Sequence, residues 1–279
     1  MKGRRRNCNP TADAGSRLVL ELRRTSENDH AFPIRSFAMP ADLTLSLVIP
    51  TYNERGNIQQ LIEELCRLLN PRLPQQYELV VVDDDSPDRT WEIAEQLSAA
   101  MTHVRVLRRR EARGLSEAVV AGWKIARGEW WAVIDADLQH PPAVVLQLVD
   151  ALREGADLAV ATRHLPGGGV SDWNIFRRML SRGAQALAVT LVPQARLVSD
   201  PMSGYFAVRA SAIDLSQVNP LGYKILLDVL AKGRFSAIRE IPYVFRERAV
   251  GGSKVTLQQY AEFVRQVAGL WRSNQRRPR

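Results

Sequence analysis

The chain has 279 residues, of which 46% are hydrophobic and 24% charged, a composition typical of globular proteins with a sizeable core. Its formal net charge of +8 favours anionic partners such as nucleotide phosphates, anionic lipid or nucleic acid, although a solvated basic surface would give the same excess. Two cysteines argue against a disulfide scaffold, and no stretch reaches the ~18 apolar residues of a spanning helix, so we expect a soluble or peripherally bound protein in a reducing compartment.

The hydrophobic pattern divides the chain into three parts. Residues 1–42 are polar and irregular and are predicted to be a mostly disordered extension. Residues 43–254 alternate short apolar runs with segments of helical spacing, and residues 255–279 combine an amphipathic helix with a basic tail. The predicted strands are 43–49, 77–82, 104–107, 130–134 and 158–162. The predicted helices are 57–69, 90–101, 115–126 and 143–154. This alternation predicts an α/β fold with a mostly parallel central sheet flanked by helices.

Polar clusters follow several of the predicted strands. Residues 50–54 follow the first strand, 83–85 the second and 135–137 the fourth, while Arg163 follows the fifth. Ligands of such sheets bind at the carboxyl ends of the strands, so these clusters are expected to meet at one edge. Helix capping explains some of the carboxylates, but it does not explain why three strands end alike. Because acidic clusters at one edge repel each other, we expect a cation and a nucleotide between them.

Asp135, Asp137 and Gln139 form the most informative of these clusters. Strand alternation would direct the three side chains toward one face at the end of the fourth strand. Their oxygen atoms suit a hard divalent cation, Mg²⁺ or Mn²⁺, which enzymes use to neutralise a departing diphosphate. The alternative interpretation is a pair of solvated turn carboxylates.

The ordered motifs of the chain resemble those of family 2 glycosyltransferases with the GT-A fold. Among these, the closest likeness is to the dolichol-phosphate mannose synthases, in a soluble form without transmembrane helices. The segments that carry the resemblance are VIPTYNE (48–54), VVDDDSPDRT (81–90), DADLQHPP (135–142), DPMSGYF (200–206) and NPLGYKILL (219–227). The resemblance extends over about residues 43–254 and implies inverting transfer of mannose from GDP-mannose to a dolichyl or polyprenyl phosphate.

The resemblance also implies a role for individual residues. The donor nucleotide would be bound by Pro50, Tyr52, Glu54, Val82, Asp84 and Ala136, with Arg248 and Lys254 over its diphosphate. The metal would be held by Asp135, Asp137 and Gln139. The acceptor phosphate would be received by Arg163, Arg177 and Ser181. On this basis the catalytic residues are Asp137, Arg163 and Arg177.

The chemistry of this reaction agrees with these residue types. A phosphate acceptor is already ionised near neutral pH, so the enzyme needs no general base to make it nucleophilic. Its tasks are to position two anions and to stabilise the leaving diphosphate, for which a metal ion and arginine side chains are suited. Asp137 is therefore predicted to be a metal ligand rather than a proton acceptor.

Membrane contact is the expected consequence of a lipid-linked acceptor. Residues 175–188 mix basic and apolar side chains at helical spacing and are predicted to lie in the membrane interface, although an ordinary helix packed on the sheet is the alternative. Some mannose synthases continue into transmembrane helices. For this chain we instead expect peripheral association with the cytoplasmic face of a membrane, through the interfacial helix, the basic tail or a separate membrane protein.

Several alternatives remain open from the sequence. A related enzyme could use UDP-glucose or UDP-N-acetylglucosamine, since spacing does not distinguish guanine from uracil. A nucleic-acid-binding protein is disfavoured by the acidic edge, and a non-catalytic sugar-nucleotide binder by the metal ligands. His140 is predicted to be structural and to face away from Asp137 and Gln139. The tryptophans 123, 130 and 131 are predicted core residues. Residues 167–169, three glycines, could form a lid hinge or a simple loop.

Overall fold

A seven-stranded sheet organises the fold of this protein, which we describe from a computed structural model. The structure describes residues 43–111, 113–170, 175–218, 222–247 and 257–275; for 175–182, 257–260 and 274 it describes the backbone. All of these residues belong to one unit, Ala38–Arg279. The predicted disordered extension, residues 1–42, lies outside the described residues.

The helices and strands alternate through the first half of the chain, as predicted. The strands are β1 (Leu45–Thr51), β2 (Tyr77–Asp83), β3 (Val104–Arg108), β4 (Trp130–Val133), β5 (Leu158–Thr162), β6 (Gly169–Val170), β7 (Phe206–Arg209), β8 (Ile238–Pro242) and β9 (Val244–Phe245). The helices are α1 (Ile58–Leu69), α2 (Thr90–Ala100), α3 (Leu115–Ile125), α4 (Val144–Arg153), α5 (Ile175–Leu191), α6 (Ile225–Lys232) and α7 (Leu257–Gln275).

The sheet has the strand order β3-β2-β1-β4-β7-β5-β8. Every neighbouring pair is parallel except the two pairs of β7, which runs antiparallel to β4 and β5. The structure thus confirms the predicted mostly parallel α/β sheet. A separate parallel pair joins β6 to β9. The hydrophobic pattern did not predict β6 to β9 or α6.

The central strands are buried on both faces, which explains their continuous apolar sequences. Leu47 and Ile49 of β1 belong to one core cluster with residues of α1 and α4. Val48, between them, belongs to a second cluster with residues of α3 and α6. The first five strands and the first four helices therefore stabilise one another: the helices cover the apolar residues of the strands, and the sheet covers an apolar face of each helix.

The three tryptophans lie where the sequence predicted. Trp123 and Trp130 are buried, and the partly buried Trp131 stacks on Trp123 with ring centroids 5.6 Å apart. They contribute to the core and offer no stacking surface for a base or a sugar.

A third core cluster joins the last part of the chain. Ala188 of α5 packs with Leu227 of α6 and with Phe263 and Val267 of α7. Within the described residues, no helix combines the length and the apolar character that a membrane crossing requires.

Candidate active site

The polar clusters after β1, β2 and β4 meet at one edge of the sheet. Thr51, the last residue of β1, pairs with Asp83, the last residue of β2. Strand β4 lies on the other side of β1, so residues 135–139 follow at the same edge. Asp83 itself is fully buried and accepts hydrogen bonds from Thr51 Oγ1 (2.8 Å) and Ser86 Oγ (2.7 Å). It therefore fixes the loop after β2 to the end of β1.

Asp84 lies beside Asp83 in a different environment. It is 5% exposed, accepts a hydrogen bond from the Gly114 amide (2.8 Å) and forms an ion pair with Arg109 (3.0 Å to Nε). Burial raises the pKa of the Asp84 carboxyl above its usual range, although the Gly114 amide and the Arg109 charge oppose the increase. Arg109 also lies 3.3 Å from Glu117, and both line an open cavity of about 510 Å³.

The sequence did not assign a role to Arg109. The signal was present, because the three consecutive arginines 108–110 begin at the last residue of β3, at the same edge of the sheet. A basic run at that position supplies the charge that the neighbouring carboxylates require.

The residues predicted to bind the nucleotide lie around this edge. The Tyr52 side chain is partly exposed, with the Arg113 guanidinium 5.3 Å above its ring. Glu54 is buried and accepts a hydrogen bond from Asn57 Nδ2 (2.8 Å). Pro50, Val82 and Ala136 are buried, and the Val82 side chain belongs to the core.

Backbone strain is concentrated in these loops. Asn53, Asp85, Arg89 and Leu138 have φ angles between 53° and 61°, in the left-handed region that non-glycine residues rarely adopt. All four lie in the loops that follow β1, β2 and β4. Such strain persists only where the surroundings determine the conformation, and it is frequent at functional sites.

Residues 135–139, which we call the acidic turn, contain the predicted metal ligands. Strand β4 ends at Val133 and Leu138 has a φ of 61°, so strand alternation does not continue through this segment. The expectation that alternation would bring the three ligands together is therefore wrong, because they lie on a turn. The amide N–H of Gln139 donates to Asp137 Oδ1 (3.1 Å), and Gln139 Nε2 donates to the Arg246 carbonyl (3.0 Å).

The donor atoms of the acidic turn fit a hard cation. Two carboxylates and one amide oxygen are ligands that Mg²⁺ and Mn²⁺ accept, with phosphate oxygens of a substrate completing the shell. In the part of the chain that the structure describes, no three His, Cys, Asp or Glu side chains form a metal-binding group. An ion at the acidic turn would thus have few protein ligands and would depend on phosphate oxygens of the bound substrate.

His140 follows the acidic turn and is 3% exposed. Its ring is surrounded by Tyr205, Tyr243 and Phe245, at centroid distances of 5.4, 5.4 and 5.1 Å. This environment agrees with a structural role. Its Nε2 atom nevertheless lies 3.3 Å from Asp135 Oδ2, a contact that the sequence did not predict.

Arg163 forms a buried ion pair with Asp200. Its Nε and Nη2 atoms donate to the two carboxylate oxygens at 2.7 and 2.9 Å. Burial alone would raise the pKa of Asp200, but the hydrogen bonds and charge of Arg163 hold it below its usual range. Burial would lower the pKa of Arg163, but Asp200, with smaller contributions from Tyr243 and Asp135, raises it. Asp200 was noted in the sequence only as part of a motif.

The other predicted residues are described in part or not at all. Arg177 and Ser181 lie on α5, whose backbone alone is described at these positions, and Arg248 and Lys254 lie outside the described residues. Of the three glycines 167–169, Gly167 lies in a turn that the hydrogen bond from the Gly168 amide to the Leu165 carbonyl closes, and Gly169 begins β6 and donates to the Tyr243 carbonyl.

The sequence is similar to a glycosyltransferase family profile and to several mannosyltransferases. The profile described as glycosyl transferase family 2 matches residues 46–214. Dolichol-phosphate mannosyltransferase from Pyrococcus furiosus is 42% identical over 228 residues, which are 82% of this chain but 64% of that protein. The Saccharomyces cerevisiae protein of the same name is 34% identical, over 81% of this chain and 86% of its own. Polyprenol monophosphomannose synthase from Mycolicibacterium smegmatis is 36% identical, over 82% and 87%.

Two solved structures show the same fold at lower sequence identity. Glucosyl-3-phosphoglycerate synthase from Mycobacterium tuberculosis, in complex with Mn²⁺, UDP and glucosyl-3-phosphoglycerate, is 24% identical. It superposes with a TM-score of 0.58 over 87% of this chain and 83% of its own. Mannosyl-3-phosphoglycerate synthase from Rubrobacter xylanophilus is also 24% identical, with a TM-score of 0.60 over 85% and 77%.

Proposed function

Because this chain belongs to glycosyl transferase family 2 and has the GT-A fold, we propose that it transfers mannose from GDP-mannose to a dolichyl or other polyprenyl phosphate. The transfer would invert the anomeric carbon. The observation that carries the proposal is the sequence identity of 34–42% to dolichol-phosphate mannosyltransferases over about four-fifths of the chain. The site at the carboxyl edge of the sheet supplies residues suited to each part of the reaction.

The acidic turn is suited to the leaving group. Asp135, Asp137 and the Gln139 amide oxygen would hold Mg²⁺ or Mn²⁺, which when bound neutralises the charge that grows on the departing diphosphate. The backbone N–H of Gln139 donates a hydrogen bond to Asp137 Oδ1, which supports this role because it restrains the Asp137 carboxylate. Arg248 and Lys254 would contact the same diphosphate.

The loops after β1, β2 and β3 are suited to the nucleotide. Of the predicted nucleotide contacts that the structure describes, Tyr52 is the most exposed, so its ring is accessible to the donor, and Arg113 lies beside it. Asp84 is held in place by Gly114 and Arg109, which gives a fixed acceptor for the N–H groups of a base or the hydroxyls of a ribose.

Arg163 is suited to the acceptor phosphate. The Asp200 carboxylate fixes two of its nitrogens, so the guanidinium has a defined direction near Asp135. A guanidinium that is fixed in this way would align the phosphate without a large entropic cost, and an ionised phosphate needs no proton acceptor to attack. Arg177 and Ser181 on α5 would complete this subsite.

The outer face of α7 is suited to the surface of a membrane, and residues 175–188 of α5 are the second proposed contact. Of the described residues of α7, Val264 and Trp271 are 52% and 43% exposed, and Arg265 and Arg272 are exposed beside them at helical spacing. An outer face with both aromatic and basic side chains is typical of helices that lie at the headgroup level of an anionic bilayer. We propose that the protein lies peripherally on the cytoplasmic face of a membrane, with a membrane protein partner as the alternative means of recruitment.

A transfer assay tests the proposed function. The protein is incubated with labelled GDP-mannose, Mn²⁺ or Mg²⁺ and a short polyprenyl phosphate, and the products are extracted into organic solvent. We expect the label to enter the organic phase only when both cation and acceptor are present. Equal transfer from UDP-glucose or UDP-N-acetylglucosamine, or no transfer from GDP-mannose, would contradict the proposed donor.

The variant Asp137→Asn tests the role of the acidic turn. The amide keeps the size of the side chain but loses the negative charge, so we expect turnover to fall by about 100-fold or more. Asp214→Asn is the matched control, because this exposed carboxylate follows the C-terminal end of β7, at the edge of the sheet opposite to the acidic turn. Near-normal turnover of Asp137→Asn would refute a central role for Asp137.

A further inference from the structure

His140 makes a contact that its burial among aromatic rings does not require. Its Nε2 lies 3.3 Å from Asp135 Oδ2, while its Nδ1 has no hydrogen-bond partner among the described residues. Nε2 is thus the ring nitrogen that lies beside a carboxylate, and a proton on Nε2 is stabilised electrostatically by Asp135.

The surroundings leave the imidazole ring little freedom. The rings of Tyr205, Tyr243 and Phe245 pack around it, with interplanar angles of 72°, 33° and 80°. Tyr205 is itself fixed, since its hydroxyl donates to the Pro142 carbonyl at 3.1 Å. The Nε2 atom is therefore held in one direction by packing, and that direction is toward the acidic turn.

The Asp135 carboxylate is also limited by Gly204. A Cβ atom on Gly204 would lie 2.8 Å from Asp135 Oδ2, which is closer than real Cβ atoms approach an oxygen. The same oxygen thus contacts His140 and lies against the backbone at position 204. His140 and the loop before β7 thus both restrict the position of this carboxylate.

We infer that His140 is a positioning residue that holds Asp135 Oδ2 and so orients this carboxylate toward the divalent cation. The inference depends on the proposed function, because it assumes that the acidic turn binds the ion. His140 is placed behind the carboxylate and is buried by aromatic side chains, so it acts through Asp135 and does not contact the ion or the substrates. Partners of metal ligands typically change metal affinity or activity about 10- to 100-fold when they are replaced.

The test measures Mn²⁺ binding to the purified protein, with and without GDP, from the electron paramagnetic resonance signal of free Mn²⁺. His140→Phe keeps an aromatic ring but removes the N–H group, and we expect its Mn²⁺ affinity to fall by about 10- to 100-fold. His140→Gln retains an N–H group at a similar distance from the backbone and is expected to keep most of the wild-type Mn²⁺ affinity that His140→Phe loses. In the transfer assay, the KM for Mn²⁺ is expected to rise more than kcat falls.

Tyr77→Phe is the matched control for a loss of stability away from the site, because Tyr77 is buried and begins β2, at the end of the strand opposite to the site. It removes the hydrogen bond from the Tyr77 hydroxyl to Asn70 Oδ1 (2.8 Å) but leaves the contact between His140 and Asp135. We expect a lower melting temperature with unchanged Mn²⁺ affinity. A structural role for His140 would instead give a lower melting temperature and unchanged Mn²⁺ affinity in His140→Phe as well, and that result would overturn the inference.

Gly204→Ala provides a second test that does not depend on the folding of His140→Phe. The added methyl group displaces the same carboxylate, so Mn²⁺ affinity is expected to fall while His140 is intact. If His140→Phe does not fold, unchanged Mn²⁺ binding in Gly204→Ala overturns the inference. If the wild-type protein does not bind Mn²⁺ under either condition, the proposed ion site itself is wrong. The two failures are thus distinguishable.

Discussion

At the scale of single residues, Arg163 and Asp200 form the most consequential ion pair of the site. The Asp200 side chain is fully buried and that of Arg163 is 10% exposed, so both charges have lost most of their hydration. A buried pair of this kind compensates its desolvation only while both partners are present and well aligned. The pair fixes a guanidinium near Asp135, where its positive charge would favour an anionic acceptor.

Asp200→Asn is expected to destabilise the protein because it leaves the Arg163 charge buried without compensation. The free energy of unfolding, measured with urea, should fall by about 3–5 kcal/mol. Asp150→Asn is a suitable control, since Asp150 pairs with Arg72 on the surface and its loss should cost about 1 kcal/mol or less. Equal effects of the two variants would contradict this account.

The same pair has a predictable pH dependence. The pKa of Asp200 is depressed in the folded protein, so its contribution to stability is present above the ordinary value of 3.8 and is lost as the pH falls through the folded pKa. Asp200→Asn should therefore reduce the loss of stability that the wild-type protein shows below pH 3.8.

The meeting of several candidate site residues at one edge of the sheet could be predicted from the sequence, but their contacts could not. Asp84, Asp135 and Asp137 follow strands whose apolar patterns are clear, and the carboxyl ends of parallel strands meet. The contact of His140 with Asp135 depends on the left-handed conformation of Leu138, which no local pattern indicates for a leucine. The partner of Arg163 lies 37 residues away, and its position depends on the whole sheet.

At the scale of secondary structure elements, Asp228 links α6 to α7. It is 1% exposed and accepts a hydrogen bond from Gln266 Nε2 at 2.6 Å, and the same nitrogen lies 3.0 Å from the Lys224 carbonyl. Burial raises the pKa of Asp228 to about 7, against the hydrogen bond of Gln266 and the charge of Lys232. The Asp228 carboxyl group is thus buried in the contact between α6 and α7.

The raised pKa of Asp228 predicts a stability that decreases as the pH rises. The folded protein holds this proton between the ordinary value of 3.8 and about 7, whereas the unfolded chain releases it, so stability is lost across that window and stays lower above it. Asp228→Asn should remove this dependence and raise the free energy of unfolding at pH 8 by up to a few kcal/mol. Urea unfolding at pH 5 and pH 8 measures the effect, and parallel changes in wild type and variant would contradict it.

The elements that the sequence did not predict are short or interrupted. Strands β6 and β9 have two residues each and β7 has four, which is too few to show a period. Strand β8 has the sequence IREIP and lies at an edge, where its charged residues reach solvent. The eight residues of α6 are buried almost throughout, so they lack the polar face that marks an amphipathic helix.

At the scale of the whole molecule, charge and exposed apolar side chains are available for membrane contact. The formal net charge of +8 belongs to the full chain, and the outer face of α7 carries two of its arginines beside Trp271. Each basic residue near an anionic surface contributes about 1 kcal/mol at low salt, and this attraction weakens within a Debye length as salt is added.

Sedimentation with vesicles tests this surface. We expect the protein to sediment with phosphatidylserine-containing vesicles at low salt and to be released as the salt concentration rises. Trp271→Ser with Arg272→Gln should weaken the binding, whereas Arg67→Gln, on an exposed position of α1, should not. If the wild-type protein stays in the supernatant with anionic vesicles at low salt, recruitment by a membrane protein becomes the better explanation.

The reversed direction of β7 has a consequence for how the chain assembles. Strand β7 inserts between β4 and β5, so residues 206–209 must arrive before the two halves of the sheet are joined. The acidic turn reaches its final contacts later still, because the Gln139 side chain is hydrogen-bonded to Arg246, 107 positions further along the chain. During synthesis the ribosome therefore releases the first four strands well before this anchor can form, so the conformation of residues 135–139 is completed late in the folding of the nascent chain.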